Sequence, residues 1–319
     1  VLAHTRDFVF LEDGDCGVID AKGFVVVDAE GKTVQRPTKT ITWSAVLAEK
    51  GGHKHFMHKE ITEQPRAITD TLRGRLGFDD ANVLLDGVDN DILKATRRIV
   101  VIACGTSWHA GLVGRYVIEQ LARMPVDVEL ASEFRYRDPV LDEGTLVLAI
   151  SQSGETADTL AALKEAKRRG CNVMSVCNVV DAAIPRVCAP TPAGTEPKAG
   201  EGKGAGTLYT RAGPEIGVAS TKAFTTQLVA LHLLGLQLAQ LRGTQSKEAL
   251  LEDMRALAHL PIEMEKLLAR EDDVRAIAQN HFNARSSRPK QMAKGRTQHL
   301  GAQMMTAKVM QRYIGTPGK

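Results

Sequence analysis

Leu146-Val147-Leu148-Ala149-Ile150 is an unbroken apolar run that stops at Ser151-Gln152-Ser153-Gly154-Glu155-Thr156, and a helical spacing of Leu160, Leu163 and Ala166 begins directly after it. A run this short with no polar alternation suits a strand covered on both faces, as in a parallel sheet flanked by helices. The turn then lies between the carboxyl end of a strand and the N-terminus of a helix. Such a turn offers unpaired backbone N–H groups and the positive end of a helix dipole, and Ser151, Ser153 and Thr156 add hydroxyl donors. A phosphate fits that chemistry. The plainer assignment is that Ser153 or Thr156 caps the helix, the commoner role of an isolated Ser or Thr in such a place. Three hydroxyls and a Gly within six residues favour the anion.

The same alternation of apolar strand and amphipathic helix governs the chain from residue 97 onward, with strands expected at 99–103, 126–131, 146–150 and 172–178. The first of these ends at Cys104-Gly105-Thr106-Ser107 and opens a helix through Ala122; the third opens a helix over 156–169. The expected fold class is α/β: a three-layer α/β/α domain with a central parallel, flavodoxin-like sheet, preceded by a β-rich segment. Ligands of open α/β sheets sit beyond the carboxyl ends of the strands, so the turns at 104–107 and 151–156 can share one site. Neither turn has the spacing of a Walker phosphate loop or a dinucleotide fingerprint, so ATP and NAD are disfavoured and no cofactor is expected.

The flanks are of other kinds. Residues 1–36 alternate the runs 8–10, 17–19 and 24–27 with the turn pairs Asp13-Gly14, Lys22-Gly23 and Glu30-Gly31, a β-hairpin pattern too short to be a domain by itself. Residues 50–65 form a linker running into a short amphipathic helix, where His53, His55 and His58 are interleaved with Lys50, Lys54 and Lys59. Those lysines would repel a cation and no Asp or Cys ligand flanks them, so no metal site is assigned. Residues 187–206 are rich in Pro and Gly without periodicity and are expected to form a mobile loop, with order returning at Thr207-Leu208-Tyr209. Helices are then expected from about 222 to 241, with Ser220 and Thr221 as helix-start residues, and over 246–268 and 272–282. From 283 to 319 no regular pattern survives.

Composition excludes several classes. A chain of 319 residues with 43% hydrophobic and 25% charged residues is ordinary for a globular protein of about two domains. A net charge of +3 and 4% aromatics, with no basic stripe, give nucleic-acid binding no support. The five cysteines are scattered and odd in number, as free thiols of a reducing compartment are, and the most apolar helix, at 223–241, is interrupted by Thr, Gln and His. A cytoplasmic protein with no membrane partner is expected. The chain begins at Val1, so an N-terminal portion is expected to be missing.

Four stretches taken together carry a resemblance: Cys104-Gly105-Thr106-Ser107-Trp108-His109-Ala110; Ala131-Ser132-Glu133-Phe134-Arg135-Tyr136-Arg137; Ser151 to Thr159; and Glu215-Ile216-Gly217-Val218-Ala219-Ser220-Thr221-Lys222-Ala223-Phe224. The chain resembles the glutamine:fructose-6-phosphate aminotransferases, or glucosamine-6-phosphate synthases, whose sugar-isomerase (SIS) domains follow a glutaminase domain. The likeness runs from about residue 4 to about residue 282, apart from 187–206, and residues 50–65 resemble the family's joint between glutaminase and isomerase parts. It implies fructose 6-phosphate or a related sugar phosphate as partner. It places Thr106, Ser107, Ser151, Gln152, Ser153 and Thr156 around the phosphate, with Val218, Ala219 and Ser220 along the sugar. It also admits a homodimer through SIS domains.

The resemblance further implies a division into a glutaminase remnant at 1–49, a linker with helices at 50–96, a first SIS domain at 97–245, a helical connection at 246–282 and an aberrant tail at 283–319. By that comparison the chain is truncated at both ends, and a disrupted reading frame would account for the tail and for the length of 187–206. Cys16 does not stand in the family's catalytic motif, and no KEIS-like or KHGP-like motif occurs in 283–319, so no catalytic residue is assigned. A stand-alone SIS module that senses a sugar phosphate for a partner protein is the competing reading, and a non-functional product of a damaged gene a third. The chain as given is expected to form no glucosamine 6-phosphate from fructose 6-phosphate and glutamine, and free ammonia should not restore turnover; product above a heat-killed control with either nitrogen source would refute this.

Overall fold

Asp28 organises the amino-terminal hairpins: its backbone pairs with Lys32 and Gly31, and its Oδ1 accepts from the Glu30 and Lys32 amides, closing the Glu30-Gly31 turn. In this computed structural model, which describes residues 5, 7–12, 14–21, 23–40, 50–190 and 200–281, the chain divides into two compact units, Val1–Gly52 and His53–Lys319. In the first, β2 (Cys16–Asp20), β3 (Gly23–Val27) and β4 (Thr33–Val34) pair antiparallel, while β1 (Asp7–Val9) pairs with β5 (Thr38–Thr40). The run at 8–10 therefore joins the far end of the segment and makes no hairpin with its neighbour β2. Of the expected turn residues, Asp13 and Lys22 lie outside the described ones. The fork of Arg36 grips Asp15 at 2.8 and 2.9 Å.

The second unit opens with α1 (Phe56–Thr62), which follows the linker, and α2 (Gln64–Leu72), separated at Glu63 ahead of Pro65. A small β6 (Leu76–Gly77) and β7 (Asn82–Val83) ribbon follows, then α3 (Asn90–Ala95), capped by Asp89, whose carboxylate accepts from the Asp91 and Ile92 amides. The main domain then runs β8 (Arg98–Ala103), α4 (Gly105–Ala122), β9 (Val126–Leu130), α5 (Ala131–Phe134), β10 (Thr145–Ser151), α6 (Ala157–Arg168), β11 (Asn172–Cys177), α7 (Ala183–Cys188), β12 (Gly204–Tyr209), α8 (Lys222–Arg242), α9 (Lys247–Leu268) and α10 (Glu271–His281).

The five strands are parallel in the order β12-β11-β10-β8-β9, with Ile150 beside Ala103 where β10 meets β8. Alternation splits their side chains between two cores. Ile99, Val101, Leu146, Leu148 and Ile150 face a layer built from α4, α8 and α9, and Val100, Ile102, Val147 and Ala149 face α5, α6 and α7. Gly111 and Gly114 let α4 approach closely: a Cβ on the first would meet Val101 Cγ1 at 2.9 Å and on the second Leu231 Cδ1 at 2.8 Å. The three-layer parallel fold is thus the one expected. The helix α8 is long and apolar enough to cross a bilayer, yet 89% of its apolar window is buried within this domain, as suits a core helix. All five cysteines are free, and burial pushes the thiols of Cys177 and Cys188 up to about 11 and about 12.

Two expectations need correction. The strand at 126–131 ends at Leu130, because Ala131 turns into α5 and is buried beside Phe134. The stretch 187–206 is not a loop throughout: α7 runs to Cys188, and β12 adds a fifth strand from Gly204. Its glycines mark close backbone approach, since a Cβ on Gly204 would lie 2.1 Å from the Ala189 carbonyl oxygen and one on Gly206 1.8 Å from that of Gly87. Residues 191–199 of that stretch and the tail from 283 lie outside the described residues.

His232 on α8 is buried with neither ring nitrogen bonded to a described residue, and burial lowers its pKa from 6.5 to about 4. Folded His232 is neutral while the unfolded chain takes up the proton below pH 6.5, so its contribution to stability falls as pH drops from 6.5 to about 4 and is constant below. The loss across that window is about 3 kcal/mol. Urea denaturation of His232→Leu should show a correspondingly flatter stability profile than the parent between those values; parallel profiles would refute the assignment.

Candidate functional site at the carboxyl edge of the sheet

From β8 the chain steps outward to β9, and from β10 it steps the other way through β11 to β12. The direction of progress therefore reverses between β8 and β10, and a crevice opens beyond their carboxyl ends. The turns at 104–107 and 151–156 stand on its two sides, because Ala103 and Ile150 are register partners. A hydrogen bond from Thr159 Oγ1 to Cys104 Sγ, 3.9 Å, ties the start of α6 to the start of α4.

The 151–156 turn is built from its own polar atoms. Ser151 Oγ, buried, accepts from the Gly154 amide at 3.0 Å and lies 3.3 Å from Thr156 Oγ1, and Ser153 Oγ accepts from the Glu155 amide at 3.2 Å. Thr156 occupies the N-cap position of α6 without a side-chain cap bond. The capping role weighed for Ser153 and Thr156 is thus not filled by either, and the first turn of α6 keeps its amide end uncapped by a side chain. The carboxylate of Asp158 in that first turn is paired with Arg135 at 2.8 Å. Neighbouring segments hold the turn down: Ile184 N–H donates to the Gly154 carbonyl at 2.9 Å and Ala183 N–H to Glu155 Oε1 at 2.8 Å.

Across the crevice, Gly105 adopts φ +59° and Cys104 makes no side-chain cap bond to α4. Thr106 is half-buried, whereas the Ser107 hydroxyl is buried and accepts from Gln227 Nε2 of α8 at 3.0 Å. Two buried polar atoms near this helix end, Trp108 Nε1 and Gln227 Oε1, have no partner among the described residues.

The third wall is 213–221. Asn178, at the end of β11, ties it to the 151–156 turn: its own amide donates to the Gln152 carbonyl at 3.4 Å, its Nδ2 to the Gly213 carbonyl at 2.7 Å, and its Oδ1 accepts from Ala212 N–H at 2.8 Å. Ser220 and Thr221 do not cap α8 with their hydroxyls. Glu215 does, accepting from the Thr221 and Ala223 amides at 2.9 and 3.1 Å. Burial pushes the Glu215 carboxyl up, against the pull of those amides. Val218 stands fully exposed, with Ala219 and Ser220 half-buried. Asn178 and Gln227 carried no sequence signal, since each acts on a segment brought near only by the fold; Glu215 stood in one of the motif stretches, but its cap on amides six and eight residues further on was not read there.

A separate cavity of about 230 Å³, lined by Thr96, Arg97, Glu143 and Asn172, sits at the opposite, amino-terminal edge of the strands and shares no residue with the crevice. Among the described residues no group of three or more His, Cys, Asp and Glu side chains is placed to hold a metal.

Residues 92–200 match the family model of the SIS domain, and the parallel sheet with its edge crevice is that class of fold. More narrowly, most of the chain is similar to proteins named glutamine–fructose-6-phosphate aminotransferase. The protein of that name from Caldanaerobacter subterraneus subsp. tengcongensis is 44% identical over 287 residues, covering 89% of this chain and 44% of that protein. The one from Clostridium tetani is 46% identical over 280 residues, covering 87% and 43%. The C-terminal domain of glucosamine-fructose-6-phosphate aminotransferase from Francisella tularensis superposes with a TM-score of 0.66 at 37% identity, covering 74% of this chain and 62% of that one. The chain spans less than half the length of the curated relatives it matches.

Two glycines separate backbone strain from crowding at this edge. Gly154, at φ +71°, would place a Cβ 2.5 Å from Ala182 Cβ and 2.9 Å from Cys177 Sγ, while Gly105, at φ +59°, has open space around it. Gly105→Ala should cost only the left-handed backbone penalty of about 1 kcal/mol. Gly154→Ala adds overpacking of about 1–3 kcal/mol. Equal losses in urea denaturation would contradict the crowded geometry.

Proposed function

We propose that the carboxyl edge of this sheet binds a sugar phosphate, and specifically fructose 6-phosphate, with the phosphate against Ser151, Gln152, Ser153 and Thr156 and within reach of Thr106 and Ser107. The sugar lies along Val218, Ala219 and Ser220. The observation that carries this reading is the α6 N-terminus: hydroxyls surround it, none caps it, and it stands at the strand-order reversal. The relatives' name, an isomerizing aminotransferase of glutamine and fructose 6-phosphate, supports the ligand. In this reading 97–245 is the binding domain of a soluble cytoplasmic protein, and a second copy of the domain is the expected macromolecular partner.

The chemistry follows from charge. A phosphate dianion gains from the dipole end of α6 and from hydroxyl donors, each charge-assisted bond contributing about 1.5–3 kcal/mol. Ser151 is committed to the Gly154 amide, so Ser153 and Thr156 are the cleaner hydroxyls to remove. Holding the phosphate leaves the sugar carbons to be oriented by the exposed 218–220 backbone and side chains, which is a positioning task rather than proton transfer.

Fructose 6-phosphate at about a hundred times its dissociation constant should stabilise the fold by about 2.7 kcal/mol. Glucose 6-phosphate should also stabilise and unphosphorylated fructose should not. Titration calorimetry on folded Ser153→Ala and Thr156→Ala should show affinity lower by about 1.5–3 kcal/mol each. No thermal shift with either sugar phosphate, or unchanged affinity in both variants, would overturn the site.

A further inference from the structure

In segment 215–222, the stretch from Ile216 to Val218 does not hold its shape by burying its own side chains. Ile216 is 46% exposed and Val218 fully exposed, yet the backbone between them is fastened by a carboxylate from another part of the chain. Glu60 of α1, itself 2% exposed, accepts from the Ile216 amide at 2.5 Å through Oε1 and from the Gly217 amide at 3.1 and 3.2 Å through both oxygens. A buried carboxylate is stable only when its oxygens are well bonded, so this contact is held at a defined geometry. Gly217 confirms how close the approach is: a Cβ there would lie 2.5 Å from Glu60 Oε2 and 3.4 Å from Met57 Cα. A second tether acts at the other end of the segment, where Lys222 Nζ, its side chain 4% exposed, meets Glu63 Oε2 at 2.7 Å. Both tethers come from α1 and the residue that follows it, whereas the 151–156 turn is held by α7 through Ala183 and Ile184.

We propose that Glu60 is a positioning residue for the sugar end of the site: its carboxylate latches 216–217 to α1 and thereby sets where Val218, Ala219 and Ser220 stand. This rests on the sugar-phosphate reading of the crevice. Apart from the tie they share at Asn178, the two halves of the ligand site then have separate supports, α7 for the phosphate turn and α1 for the sugar segment. Displacement of α1 changes recognition of the sugar without changing recognition of the phosphate.

The test compares the parent chain with Glu60→Gln, which keeps the side-chain volume but replaces one acceptor oxygen by a donor facing the Gly217 amide, and with Gly217→Ala on the exposed segment. Calorimetry with fructose 6-phosphate and, separately, inorganic phosphate reads the two halves of the site. Each variant should lose about tenfold in affinity for fructose 6-phosphate and less than twofold for inorganic phosphate, a split that general destabilisation would not produce. Gly217→Ala introduced on top of Glu60→Ala should add less than twofold, because the vacated carboxylate leaves room for the new Cβ. Parent-level affinity for fructose 6-phosphate in Gly217→Ala and Glu60→Gln, equal losses for both ligands, or fully additive losses in the double variant would overturn the latch while leaving the binding site intact. A parent chain that binds neither ligand would overturn the binding reading and the latch with it.

Discussion

Every residue of β10 is buried, and it shares its hydrogen-bond ladders with β8 on one side and β11 on the other. A strand with no polar face and no free edge can exist only inside a parallel sheet with helices on both sides. From that requirement follow the crossover helices, the division of the strand side chains into two cores, and the placement of every strand-to-helix turn at one edge. The crevice is a by-product of this order. It opens where the chain, having built β8 and β9, returns to place β10 on the other flank.

The walls of that crevice are shaped mainly by contacts to backbone atoms. Asn178 gathers 212 and 213 through an amide and a carbonyl, Glu215 closes the start of α8, and Glu60 fastens 216–217. Side chains that project freely, such as Val218, leave the shaping to carboxylates and carboxamides rooted in neighbouring elements. Such a site is rigid where its supports are buried, as Glu60 and Asn178 are.

Much of this was legible in the residues. The apolar runs at 99–103 and 146–150 have one physical outcome, and the structure realises both within a residue. Ala131 was assigned to the wrong element because an alanine suits a strand end and a helix start equally well. The strand β12 was hidden because Gly204 and Gly206 carry no side-chain period; only the carbonyls of Ala189 and Gly87, distant in sequence, explain why glycines stand in a strand. Ser153 and Thr156 were legible as hydroxyls of a strand-to-helix turn but not as non-capping ones, since the destination of each oxygen depends on the folded turn. Glu60 was opaque, its amide partners being 156 and 157 residues away.

The position of α8 in the chain has a consequence for how the protein is made. This helix covers the face formed by Ile99, Val101, Leu146 and Leu148, but it lies at 222–242, after all five strands. During synthesis from the amino terminus, all five strands and α4 therefore leave the ribosome before α8 and α9 complete the layer over that face. Until α8 emerges, the part of the face that α4 does not cover stays open, and in that interval the nascent domain needs shelter from other unfinished chains.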